Sequence, residues 1–131
     1  MGLAERLAAE QPSLTKVFEG LDLDVAGRVL IIPEHPLGDG WNLSVTPVLV
    51  EVPPQYPTTP PDNICVSDDL RLANGATPAN TMGIRVIAGR SWLQFSYHIE
   101  AADWRPHPDV SLSDTLVTYL VGALCRLEEA N

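Results

Sequence analysis

The chain is short of most residue types that announce a particular chemistry. It has only two cysteines in 131 residues, Cys65 and Cys125, far apart in sequence. They form no Cys-x-x-Cys, no Cys/His pair at ligand spacing and no disulfide framework. Both stand among apolar neighbours and are expected to be buried thiols in a reducing cytoplasm. Lysine is rarer still: Lys16 is the only one, and the other basic residues are arginines. The 8 basic residues face 17 acidic ones, for a formal net charge of −9. A surface of that sign repels nucleic-acid phosphates and anionic membranes, so neither is expected as a partner. The three histidines, His35, His98 and His107, form no His-x-His or His-x-x-x-His, and no metal is expected. The glycines build neither a Gly-x-Gly-x-x-Gly nor a Walker loop, so no nucleotide cofactor is expected either. No apolar run approaches the length of a bilayer span. The first ten residues carry Glu5, Arg6 and Glu10 and lack a signal-peptide core. The expectation is a soluble, cytoplasmic protein.

What is present is enough for a core. Hydrophobic residues make up 45% of the chain, consistent with one domain over residues 1–131 that needs no staples. Leu3, Ala4, Leu7 and Ala8 predict a short helix that Pro12 interrupts, with a second turn from Ser13 to Gly20. Arg28 to Ile32 predicts a strand that stops at Pro33, and Pro33 to Gly40 reads as turn chemistry. Leu43 to Val52 alternates, and Pro47 within it requires an edge strand or a bulge. Val52 to Asp62 holds five of the twelve prolines and predicts an extended, turning connection. Asn63 to Val66 and Gly83 to Ala88 predict two more short strands. Leu112, Leu116, Tyr119, Leu120, Ala123, Leu124 and Leu127 keep helical spacing, and Ser111 with Asp114 suggests a capping box. The order of helix, strands and helix predicts an α+β fold: an antiparallel sheet flanked by N- and C-terminal helices.

Among nucleophiles the cysteines are poor candidates. Cys65 falls within a predicted strand and is followed by Ser67, Asp68 and Asp69, the wrong charge for a thiolate. Cys125 falls on the C-terminal helix, where a packed thiol is expected. Ser96 differs because it precedes His98 by two residues in Phe95-Ser96-Tyr97-His98. A hydroxyl nucleophile needs a base, and an extended backbone would put these two side chains on one face. Isolated Ser/His pairs are also common on ordinary surfaces. Asp103 and Asp109 lie downstream as carboxylates able to orient an imidazole.

Four motifs in order carry a resemblance. They are Pro53-Pro54-Gln55-Tyr56-Pro57 through Pro60-Pro61-Asp62, Gly89-Arg90-Ser91-Trp92, Phe95-Ser96-Tyr97-His98, and Trp104-Arg105-Pro106 through Asp109. Together they resemble the prokaryotic ubiquitin-conjugating-like family E, from about Leu14 to Leu127. Ubiquitin-conjugating enzymes carry a Tyr-Pro-x-x-Pro-Pro turn after a sheet strand and a Trp-x-Pro before a helix. Their catalytic cysteine lies eight residues before that tryptophan. Counting back eight from Trp104 reaches Ser96, and no His-Pro-Asn tripeptide precedes it. The resemblance implies a ubiquitin-conjugating-like fold and loss of the usual thioester chemistry. It also implies a conjugation pathway, because members are encoded near ubiquitin-like proteins, ThiF-type activating enzymes and deconjugating peptidases.

Two functions of different class follow. One is a carrier that accepts the C-terminus of a ubiquitin-like protein on Ser96 as an oxyester. In it His98 acts as general base, Arg90 or a backbone amide stabilises the oxyanion, and Asp109, ahead of Asp103, orients the imidazole or the acceptor. The other is an inactive adaptor that binds the activating enzyme or the ubiquitin-like protein. A small hydrolase built on Ser96 and His98 is a third, weaker reading.

Overall fold

Alternating apolar residues in the strands and helically spaced ones near the C-terminus converge on a single core. The computed structural model describes residues 2–129. Of the domain expected over residues 1–131, positions 1, 130 and 131 therefore lie outside the described residues. The elements are α1 (Leu3–Val17), β1 (Asp22–Asp24), β2 (Val29–Pro36), β3 (Val45–Glu51), β4 (Ile64–Ser67), β5 (Thr81–Ile87), β6 (Arg90–Phe95) and α2 (Leu116–Glu128). Two 3-10 turns, Ala101–Asp103 and Val110–Leu112, lie between β6 and α2. All six strands form one antiparallel sheet in the order β1-β2-β3-β4-β6-β5. This is the expected α+β arrangement, consistent with a ubiquitin-conjugating-enzyme-like fold.

One face of the sheet, through Leu30, Ile32, Val48, Val50, Ile64, Val66, Leu93 and Phe95, shares the main core with Leu7 and Leu14 of α1 and the apolar stripe of α2. The opposite face carries a smaller cluster of Leu49, Cys65 and Trp92, against which Val29, Ile31 and Ile87 pack. Arg90 stacks its guanidinium over Trp92, 4.3 Å from the ring centroid.

Several local expectations change. Helix α1 runs through Pro12 without a break. A proline there forfeits one backbone hydrogen bond, and Pro12 faces solvent, while Leu7 and Leu14 on either side are both fully buried. Packing of that face outweighs the local cost. Strand β2 likewise continues past Pro33 to Pro36, with a bulge between Ile32 and His35. Pro47 sits in a central strand opposite that bulge, where the missing N–H interrupts no regular ladder. Helix α2 starts at Leu116, later than expected, and its capping box is Thr115 with Thr118 rather than Ser111 with Asp114. Cys65 is buried as expected, but Cys125 is exposed on α2. Contrary to the expectation for long apolar runs, Val110–Glu128 is apolar enough by length and composition to cross a membrane. The helix proper has only 13 residues, short of the ~20 a span requires, and buries six of them in the core.

A buried polar knot joins the helices to the proline-rich connection. Glu10 Oε2 accepts from Arg6 Nε (2.8 Å) and from the Tyr56 hydroxyl (2.6 Å), and Oε1 accepts from the backbone N–H of Leu116 (2.8 Å). Arg6 also donates to the His107 carbonyl (2.6 Å) and to Ser113 Oγ (2.9 Å). Both charged residues are almost wholly buried, Arg6 at 2% and Glu10 at 1% exposure. Burial, with the Glu10 carboxylate beside it, pushes the Tyr56 phenol far above its ordinary pKa, so it remains a donor. Trp104 closes the same region by donating from its indole nitrogen to the Pro57 carbonyl (2.7 Å) while its ring tilts against Tyr56.

Removing Glu10 strands the buried Arg6 charge and leaves two donors without their acceptor. Glu10→Ala should therefore lose about 3–5 kcal/mol in equilibrium urea unfolding. Trp104→Ala should lose a similar ~3–5 kcal/mol, the usual cost of deleting a buried tryptophan. Unfolding curves that overlay the parent's would show that these groups do not hold the core.

Candidate functional site

The chain after β6 is anchored at one residue. Tyr97 donates its backbone N–H to Asn63 Oδ1 (3.2 Å) and accepts at its carbonyl from the Asn63 N–H (3.0 Å) and the Tyr119 hydroxyl (3.3 Å). Its ring packs edge-on to Tyr119, with centroids 5.3 Å apart. Its hydroxyl end lies so close to α2 that a Cβ at Gly122 would stand 2.1 Å from it. Glycine at position 122 is what lets the phenol lie against the helix. With Tyr97 turned inward, Ser96 and His98 on either side turn the other way, as the alternation of an extended chain requires.

The β4–β6 ladder explains which residue meets them. Ile64 pairs with Phe95, a register that would set Asn63 opposite Ser96. Asn63 instead exchanges hydrogen bonds with Tyr97. This one-residue slip advances the strand after β6 and brings His98 level with Asp62. Asn63 adopts a positive φ of 65°, a conformation asparagine tolerates better than most residues. The Ser96 N–H is held by the Asn80 carbonyl (2.7 Å).

The result is a chain of three side chains. Ser96 Oγ lies 3.1 Å from His98 Nε2, and His98 Nδ1 is hydrogen-bonded to Asp62 Oδ1. A carboxylate can only accept, so Nδ1 keeps its hydrogen and donates a hydrogen bond to Asp62. In the neutral imidazole this leaves Nε2, which faces the Ser96 hydroxyl, as the acceptor. A serine, an imidazole in this tautomer and an orienting carboxylate form the arrangement by which a hydroxyl is made nucleophilic. The side chains of His98 and Asp62 are 57% and 67% exposed, so the group lies on open surface.

Ser96 and His98 are thus brought together, and the carboxylate beside them is Asp62, which sequence reasoning did not select. Asp109 lies elsewhere: it accepts from Ser111 N (2.9 Å) and Ser111 Oγ (2.7 Å) at the Val110–Leu112 turn. The Ser111 hydroxyl and then its backbone N–H hold the Asp109 carboxyl below the usual range. Asp103 lies in the other 3-10 turn. Arg90 opens β6, six residues before Ser96, hence about 20 Å away along an extended chain. It stacks on Trp92 there and is not brought to the serine. The clue to Asp62 was its position at the end of the Pro60-Pro61-Asp62 string, just before a strand that pairs with β6.

No curated protein and no solved structure matches the chain. One family does: the description Prokaryotic E2 family E fits residues 15–126, most of the length. The match takes in the sheet, the proline-braced turn, the Ser96 segment, the Trp104 loop and most of α2. It implies a ubiquitin-conjugating-like role, with a ubiquitin-like protein and an activating enzyme as the general class of partner. The chain belongs to prokaryotic E2 family E.

Proposed function

We propose that this protein is an acyl carrier that receives the C-terminal carboxyl of a ubiquitin-like protein as an oxyester on Ser96. The donor is a ThiF-type activating enzyme, and the setting is the bacterial cytoplasm. The observation that carries this reading is the 3.1 Å contact of Ser96 Oγ with an imidazole whose other nitrogen is held by Asp62. In the transfer, Ser96 Oγ attacks the thioester carbonyl and its proton passes to His98 Nε2. The carbon–sulfur bond breaks as the Ser96 ester forms, and the sulfur takes the proton from His98 Nε2 and leaves as the thiol. A hydroxyl is a weaker nucleophile than a thiolate, and the base next to it compensates for the missing cysteine. An adaptor without chemistry would have no use for a histidine and an aspartate aligned on the serine, which favours the carrier.

Neither cysteine suits the role. Burial pushes the Cys65 thiol up to about 11, so little thiolate exists at neutral pH. Cys125 is exposed on α2 within electrostatic reach of the Tyr97 phenol, and among the described residues it hydrogen-bonds to no base that would activate it.

After incubation with activating enzyme, ATP and ubiquitin-like partner, intact-mass spectrometry should show a hydroxylamine-sensitive adduct on the parent and none on Ser96→Ala. His98→Ala should slow its formation by ~10²–10⁴. Ser96→Cys should give a thiol-sensitive adduct instead. An adduct that survives on Ser96→Ala would refute the assignment.

Native iodoacetamide treatment should label Cys125 alone, with Cys65 reacting only after denaturation. The double Cys→Ser variant should keep the adduct. Its loss in a folded double variant would return the chemistry to a cysteine.

A further inference from the structure

The Ser96–His98–Asp62 group sets an oriented base beside a hydroxyl, and we infer that the protein is itself a hydrolase of small neutral carboxylic esters. The inference builds on the reading of Ser96 as an acyl acceptor but asks for no protein partner. A base that takes the proton from Ser96 Oγ is equally placed, once the serine is acylated, to take one from water. The reaction balances in two halves. Ser96 Oγ attacks the ester carbonyl, its proton goes to His98 Nε2, and the departing alcohol or phenol takes that proton as the acyl–oxygen bond breaks. Water then attacks the Ser96 ester, gives a proton to His98 Nε2 and releases the carboxylic acid, while Ser96 recovers its hydrogen.

The surroundings define the substrate class. His98 and Asp62 are more than half exposed and Ser96 is partly so, so water reaches the acyl-serine freely. A small acyl group leaves that ester open to water, whereas a whole ubiquitin-like protein on the same serine would cover it. An open surface offers little to grip a long acyl chain, which leaves short acyl groups with good leaving groups. Asp62 in the group, Glu100 two residues beyond His98 and a net charge of −9 disfavour anionic esters. Asp62 acts as a positioning residue: it touches His98 and not the reacting carbon, and fixes the proton on Nδ1.

The test is steady-state hydrolysis of p-nitrophenyl acetate by the full-length protein alone, against free imidazole at equal concentration. The expected result is continuous turnover at least ~10²-fold above imidazole, absent in Ser96→Ala and reduced ~10²–10⁴-fold in His98→Ala. Cys125→Ser should be indistinguishable from the parent. Asp62→Asn should lose most of the turnover, and ¹⁵N shifts of the His98 ring should show that the Nδ1-protonated form is no longer enforced. Circular dichroism confirms that each variant is folded. Turnover that persists in Ser96→Ala, or a parent rate no better than imidazole, would overturn the inference. A burst of one equivalent without turnover would also overturn it while leaving the carrier reading standing. Turnover by a protein that takes no ubiquitin-like adduct would support the hydrolase and remove the carrier.

Discussion

A single buried carboxylate ties together parts of the chain that sheet pairing leaves independent. Glu10 lies on the first helix, yet its two oxygens serve Arg6, the Tyr56 hydroxyl and the first backbone N–H of α2. Each of these groups would be costly to bury without an acceptor. Because the three come from α1, the proline-rich turn and α2, satisfying them fixes where each lies relative to the others. Arg6 extends the connection to the loop after Trp104 through the His107 carbonyl and Ser113 Oγ. The knot buys no large excess of stability over an apolar equivalent, since ion pairs in a core lose most of their attraction to desolvation. Its contribution is geometric.

That geometry ends at the serine. With Tyr56 held by Glu10 and Pro57 held by the Trp104 indole, the rigid prolines that follow deliver Asp62 to the start of β4. From the other side α2 supplies Tyr119, whose hydroxyl bonds the Asn63 and Tyr97 carbonyls. It also supplies Gly122, whose missing side chain makes room for the Tyr97 phenol. The proline-braced turn, the Trp104 loop and the Ser96 segment are therefore one assembly. The proline-braced turn and the tryptophan loop bring the aspartate, and the last helix turns Tyr97 inward so that Ser96 and His98 turn outward.

How far the sequence revealed this depended on the range of each interaction. Helix α2 and the strand character of β3 and β4 follow from periodicity within ten or so residues, and they were legible. So was Ser96 beside His98, because two-residue alternation is local. Pro12 and Pro33 misled for the same reason in reverse: their local cost is real, but the burial of Leu7 and Leu14, and the bulge in β2, come from distant contacts. Asp62 was missed because β4 and β6 are separated by the β5 strand and its loops. No local pattern records that they pair, still less that the ladder slips by one residue after Phe95. Arg90 and Asp109 stand in the same family motifs as Ser96 and Trp104, yet one covers the outer face of the sheet and the other caps a 3-10 turn.

A serine hydroxyl is a weaker nucleophile than a thiolate and can act only where a base is aligned with it. The central claim is that Asp62, His98 and Ser96 supply that alignment as a unit. Fluorophosphonate labelling followed by peptide mapping tests it most directly, because such reagents phosphonylate activated hydroxyls, with loss of fluoride, and need no partner protein. A single phosphonyl adduct on Ser96, lost in folded His98→Ala and strongly reduced in folded Asp62→Asn, is the predicted result. An unlabelled parent protein, or an adduct on Ser96 that forms at the same rate without His98, would contradict the account.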